Sequence, residues 1–163
     1  MATVAQLPSR LTSVSLISIA EEMNPSFRRT MEDTYAVLDG FGGDRDTGFF
    51  GVYDGHGGRA VSEYLRTHLH DAVEKELEVK GLRTVEECLK AAFLLTDIEC
   101  SKTGEYAAGS TAVVCIVRRV HHKRYVYTAN CGDARAVLCH NGRAVRLSRV
   151  RRSFDPKSLN RLR

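Results

Sequence analysis

The sequence predicts an α+β domain, on three observations. Short β-rich runs stand near the front, two stretches of helical period fill the middle, and further β-rich runs joined by tight links follow. No internal repeat or low-complexity linker divides the 163 residues, so they read as one domain or part of one.

Leu11 to Ala20 is apolar but interleaved with serine, and only Arg10 precedes it closely. A secretory signal wants a stronger basic start and a more continuous apolar run. The expectation here is a first strand with a frayed end. Thr34 to Leu38 and Phe49 to Tyr53 are predicted strands, separated by the Gly- and Asp-rich loop Asp39 to Gly48. From Arg59 to Lys80 the period becomes helical. Val61, Leu65, Leu69, Ala72, Val73 and Leu77 fall on one stripe, and Gly81 is placed to end the helix.

A second helix starts at Thr84, whose spacing to Glu87 is that of a capping box. Val85, Cys88, Leu89, Ala92, Phe93 and Leu95 make its expected apolar face, and Gly104 lies just past its end. Strands are then predicted over Thr111 to Val117, Arg124 to Ala129, Ala134 to Cys139 and Arg143 to Leu147. The links are His121 to Lys123 and Asn141-Gly142; Asn-Gly tolerates the positive φ of a two-residue hairpin turn. At such a turn the His121–His122 pair reads as exposed, not as a ligand pair.

The net charge of +4 is unevenly placed. Residues 1–148 hold 18 Lys/Arg against 19 Asp/Glu, whereas residues 149–163 hold six basic residues against Asp155 alone. The basicity belongs to a tail that reads as solvated, and no nucleic-acid partner is expected. No apolar run reaches the roughly 18 to 20 residues of a membrane helix, so no membrane partner is expected either. Cys88, Cys100, Cys115, Cys131 and Cys139 are odd in number, scattered and without a Cys-x-x-Cys pair. That argues against a disulfide framework or a structural zinc site and fits a reducing intracellular compartment, cytoplasmic or nuclear. The expected organisation is a flexible N-terminus over 1–12, the domain over 13–148 and a basic tail over 149–163.

Two segments concentrate polar chemistry against apolar strands. Arg28-Arg29-Thr30-Met31-Glu32-Asp33 enters a strand; Tyr53-Asp54-Gly55-His56-Gly57-Gly58 leaves one and enters a helix. Carboxylates at strand ends are ligands for hard divalent ions such as Mg²⁺ and Mn²⁺. Gly55 beside Asp54 lets its carbonyl approach a metal closely. His56 is placed to give a proton to a leaving group, and Arg28 or Arg29 to grip phosphoryl oxygens through a guanidinium fork. Each segment also has a plainer reading. Glu32-Asp33 alone is a solvated surface pair, and the glycine-rich stretch alone is a strand-to-helix turn with Asp54 or His56 as cap. No Gly-x-Gly-x-x-Gly cradle is present, so a nucleotide site of that type is not supported.

Four motifs occur in order: Arg28-x-x-Met31-Glu32-Asp33, Phe49 to Gly58, Gly109-Ser110-Thr111-Ala112, and Ala129-Asn130-Cys131-Gly132-Asp133-Ala134-Arg135. Together they resemble the type 2C family of metal-dependent protein serine/threonine phosphatases, over about residues 13 to 148. The resemblance implies a β-sandwich of two antiparallel sheets flanked by helices, with a pair of Mg²⁺ or Mn²⁺ ions at one end. It implies hydrolysis of phosphoserine or phosphothreonine in phosphorylated proteins by a metal-activated water, without a phosphoenzyme, in a monomer. Carried over, Asp54 would bridge both metals and the Gly55 carbonyl would bind one. Glu32 and Asp33 would act through metal-bound waters, Arg28 would bind the substrate phosphate, and His56 would be the general acid. Asp133 resembles an acidic position linked to a third, weaker metal site.

After Ser148 the family pattern calls for Asp-His-Lys-Pro, where this chain has Arg149-Val150-Arg151-Arg152. The second half of the family domain, with two further aspartates of the metal site, is therefore expected to be absent. Weak metal binding, little activity, and uncovered apolar faces and sheet edges follow as expectations. Two alternatives stand beside the enzyme: a non-catalytic module that binds phosphoproteins or a kinase, and a truncation product without function.

Overall fold

The computed structural model describes residues 11–148 apart from Lys80, Leu82 and Tyr106. The basic tail and most of the expected flexible N-terminus lie outside the described residues.

Four strands make the main sheet, all antiparallel: β1 (Thr34–Asp39), β2 (Thr47–Tyr53), β5 (Ala112–Val120) and β6 (Lys123–Cys131), in the order β1-β2-β5-β6. Two short ribbons accompany it. One pairs β3 (Gly55–His56) with β4 (Gly109–Ser110); the other pairs β7 (Val137–His140) with β8 (Arg143–Arg146). Helices α1 (Ala60–Glu78) and α2 (Val85–Ser101) pack on each other and on one face of the main sheet. The α+β prediction holds: a sheet core flanked by two helices.

Period-two alternation decides which side chains meet the helices. Ala36, Phe49, Tyr53, Ala112, Val114 and Ile116 from three strands join Leu69 and Val73 of α1 and Leu89 and Ala92 of α2 in one buried cluster. Phe41, in a short 3-10 turn after β1, closes its end with its ring 5.1 Å from that of Phe49. Truncating a core side chain such as Phe49 typically costs about 3–5 kcal/mol. The opposite face is apolar too, yet Val52 is 51% exposed and Val126 38%. That face thus matches the expectation of uncovered apolar surface.

Local signals explain most element boundaries. Thr84 Oγ1 accepts from the Glu87 N–H at 3.2 Å, and Glu87 Oε2 accepts from the Thr84 N–H at 2.8 Å, completing the predicted capping box. Asn141 and Gly142 have φ of 51° and 74°, as a two-residue hairpin turn requires. His121 and His122 make the same kind of turn between β5 and β6, at φ of 47° and 64°, and both are exposed. Left-handed backbone disfavours histidine. Replacing the pair by Asn-Gly is expected to raise the unfolding free energy by about 0.5–1 kcal/mol, read as a higher urea midpoint with an unchanged slope.

Four expectations need correction. Leu11 to Ala20 forms no strand. The Asp39 carboxylate captures its start instead, accepting from the Thr12 N–H at 2.7 Å, the Ser13 N–H at 2.8 Å and both hydroxyls. Helix α1 ends at Glu78, before Gly81, because Val79 turns to extended backbone with ψ of 109°. The seventh strand begins only at Val137: the Ala136 N–H is taken by Ser148 Oγ at 2.9 Å, and its carbonyl accepts the Leu147 N–H at 3.0 Å. Leu95 is 44% exposed, while Thr96 fills the core position one residue on.

The Asp39 cluster sets a pH dependence. Burial pushes its carboxyl up, but the Ser13 and Thr12 hydrogen bonds outweigh burial and bring it to about 2, from the usual 3.8. A depressed folded-state value means stability that is present above the unfolded value and lost as pH falls through the folded one. Asp39→Asn is therefore expected to lower the melting temperature at pH 7. Melting curves between pH 7 and pH 2 should show that gap closing from about pH 4 towards pH 2.

Candidate functional site

Antiparallel register brings the four motifs to one end of the main sheet. Thr34, at the start of β1, faces Tyr53, at the end of β2; Ala112, at the start of β5, faces Cys131, at the end of β6. Strand starts and ends alternate, so the residues just outside them converge: Asp33, Asp54, Thr111 and the turn that holds Asp133.

The Asp54 elbow is held by its backbone. Its carbonyl accepts the Thr111 N–H at 2.8 Å and the Ser110 hydroxyl at 3.2 Å. The Gly-Ser-Thr-Ala motif thus fixes the main chain of Asp54 and leaves its carboxylate exposed. Gly55 packs against the Glu32 carbonyl oxygen so closely that a Cβ would collide with it. His56 lies opposite Gly109 across the β3–β4 ribbon, with the imidazole over the glycine; a Cβ there would come within 2.5 Å of Nε2. His56 itself is exposed.

Asp33 and Asp54 meet. Burial, the charge of Asp54 and a hydrogen bond between the two carboxyl groups push the Asp33 carboxyl up. The Arg28 charge pulls the other way, and Glu21 adds a smaller push upward. Two carboxylates held this close are under-neutralised, a condition that a divalent cation relieves. Glu32 sits beside them with Oε1 accepting from the Thr30 hydroxyl at 3.1 Å. Asp133, two residues past β6, is exposed. Gly132 before it has φ of 90° and packs on the Thr111 side chain, which places the turn at the same sheet end. Among the described residues, no group of three or more His, Cys, Asp or Glu side chains is placed to hold a metal ion.

The plainer reading of the glycine-rich stretch is not realised. Arg59 occupies the N-cap of α1 and no side chain makes a cap hydrogen bond there, so neither Asp54 nor His56 is a cap. Sequence reasoning missed Arg59, Ser62 and Glu21. Arg59 Nη1 donates to the Met31 carbonyl at 3.0 Å, and the buried Ser62 hydroxyl donates to the Glu32 carbonyl. Ser62 lies beside the apolar stripe of α1, and only the structure shows it to be buried.

Comparison with known proteins decides the family. The model for "Protein phosphatase 2C" matches residues 17–163. The chain belongs to the protein phosphatase 2C family. It is 34% identical over 159 residues to Protein phosphatase 2C homolog 1 of Saccharomyces cerevisiae, covering 90% of this chain and 57% of that protein. It is 37% identical over 150 residues to the homologue of the same name in Schizosaccharomyces pombe, covering 90% of this chain and 43% of that one. The chain thus spans about half the length of these protein phosphatase 2C relatives. Two solved structures share the fold. A Caenorhabditis elegans sex-determining protein gives a TM-score of 0.68 at 24% identity, over 83% of this chain and 35% of that one. A Toxoplasma gondii phosphatase gives 0.62 at 21%, over 83% and 53%. No helix among the described residues is long and apolar enough to cross a membrane.

Proposed function

We propose that this chain carries the phosphate-binding and acid half of a metal-dependent protein serine/threonine phosphatase. The single observation behind this reading is the contact between Asp33 and Asp54 at the sheet end where the four family motifs meet. The donor set is hard oxygen, and Mg²⁺ or Mn²⁺ bound by one or two carboxylates with waters suits it. Asp54 and the Gly55 carbonyl would hold the ion directly, with Glu32, Asp33 and, at a weaker position, Asp133 acting around it. When bound, the ion supplies an activated water and neutralises phosphoryl oxygens.

The chain's own residues do the rest. Arg28 orients the phosphoryl group of a phosphoserine or phosphothreonine side chain through its guanidinium fork. His56, on its short ribbon beside Asp54, gives its proton to the departing serine or threonine oxygen. The rigid Asp54 backbone, gripped by Ser110 and Thr111, keeps carboxylate and imidazole in fixed relation. Phosphorylated proteins are the proposed partners of a monomer in the cytoplasm or nucleus.

With two carboxylates in contact and no group of three or more His, Cys, Asp or Glu side chains placed to hold a metal among the described residues, weak metal affinity and little activity are expected of the 163-residue chain. The same observation favours a second reading, a phosphoprotein- or kinase-binding module that does not catalyse. Phosphate release from a phosphothreonine peptide decides between them, with and without Mn²⁺ and with Asp54→Asn as control. Slow release that needs Mn²⁺ and vanishes in the control supports the enzyme. Peptide binding without release supports the module.

A further inference from the structure

Asp33 is flanked by two residues that both bond to one buried residue of α1, Glu32 to its side chain and Thr34 to its main chain. Ser62, fully buried in the first turns of α1, donates its hydroxyl to the Glu32 carbonyl, and its own carbonyl accepts the Thr34 hydroxyl at 2.8 Å. The same hydroxyl oxygen lies 2.9 Å from where a Cβ on Gly55 would stand, so Ser62 also touches the Asp54 elbow. Arg59 adds a second grip by donating to the Met31 carbonyl at 3.0 Å. Glu63, 3.6 Å away, steadies its guanidinium.

We propose that Ser62, assisted by Arg59, is a positioning residue that sets the separation of the Asp33 and Asp54 carboxylates. The proposal rests on the metal-site reading above. Residues 31–33 precede β1 and lie outside the strand pairs and the buried core cluster. Without the Ser62 hydroxyl the Glu32 carbonyl loses its fixed donor beside Gly55, and the loop that carries Asp33 is free to drift from the elbow that carries Asp54. Groups that orient ligands in this way typically change metal affinity about 10–100-fold when removed.

The test compares Ser62→Ala with Thr96→Val in the full 163-residue chain. Thr96 is an equally buried hydroxyl on α2 that donates only to its own helix, to the Ala92 carbonyl at 2.8 Å. Two quantities are read: Mn²⁺ affinity, from the electron paramagnetic resonance signal of free ion, and backbone ¹⁵N order parameters of residues 31–33 in metal-free protein. Ser62→Ala should weaken Mn²⁺ binding about tenfold and drop those order parameters from about 0.85 to below about 0.6. Thr96→Val should lower the melting temperature similarly and move neither. Ser62→Ala with wild-type affinity and a rigid 31–33 segment overturns the proposal. If the wild-type chain binds no Mn²⁺, the metal reading fails for this chain; order parameters unchanged by Ser62→Ala then overturn the positioning role separately. Should Ser62→Ala not fold, Arg59→Met removes the exposed second grip, and unchanged order parameters in that variant overturn the proposal.

Discussion

Gly57→Ala is expected to destabilise the chain by about 2–5 kcal/mol, which for a domain of marginal stability removes much of the folded population. Two costs combine. Gly57 has φ of 70°, where an L side chain loses about 1–2 kcal/mol. Its Cβ would also strike the Ala107 carbonyl oxygen, with the Ala107 carbonyl carbon only 3.3 Å away. That obstacle is backbone from the segment leading into β4, so no rotamer change relieves it. Gly42→Ala is the internal control, since Gly42 has φ of 65° but nothing within 4 Å of a Cβ. It should lose only the conformational share, about 1–2 kcal/mol. Urea unfolding of the two variants separates collision from conformation: near-equal losses would mean that the Gly57 turn yields without cost.

Asp54→Asn is expected to reduce Mn²⁺ affinity at least tenfold while leaving the metal-free protein as stable as before or slightly more so, within about 1 kcal/mol. Most substitutions in a folded domain cost stability. This one removes a like charge that crowds Asp33 and keeps a side chain able to hydrogen-bond it. The carboxylate of Asp54 is exposed, so the relief is modest. Function and stability then move apart, as they do where a site concentrates charge for a ligand. A large loss of melting temperature in metal-free Asp54→Asn would make the residue a structural one.

What the sequence made legible divides along physical lines. The helices and their stripes were readable because period and capping are local: the Thr84–Glu87 box appears as predicted. The main-sheet strands were readable through alternation and turn chemistry. Leu11 to Ala20 misled because its apolar residues suit a strand, while the outcome was set by Asp39, 26 and 27 residues away in sequence. Nothing local signals such a capture. Leu95 misled for a different reason: it and Thr96 compete for one core position, and helix rotation, fixed by packing on α1 and β6, decided for threonine.

The site was legible as motifs and opaque as a mechanism of support. Asp33 and Asp54 stood out as acids at strand ends, and register brings them together. Ser62 and Arg59 did not stand out, because their role is to donate to backbone carbonyls of residues about 30 positions earlier. A side chain that binds main chain leaves no complementary residue type to find. Asp133 shows the converse: its motif is clear, yet it stands exposed in the turn after β6.

On the reading proposed above, a divalent cation binds at Asp54 with Asp33 acting beside it. Calorimetric titration of Mn²⁺ into the metal-free wild-type chain, Asp33→Asn and Asp54→Asn tests it most directly. Weak but saturable binding to wild type is expected, with at least a tenfold loss in each variant and no loss of folded structure in either. Equal binding to all three proteins, or none to a folded wild-type chain, would contradict it.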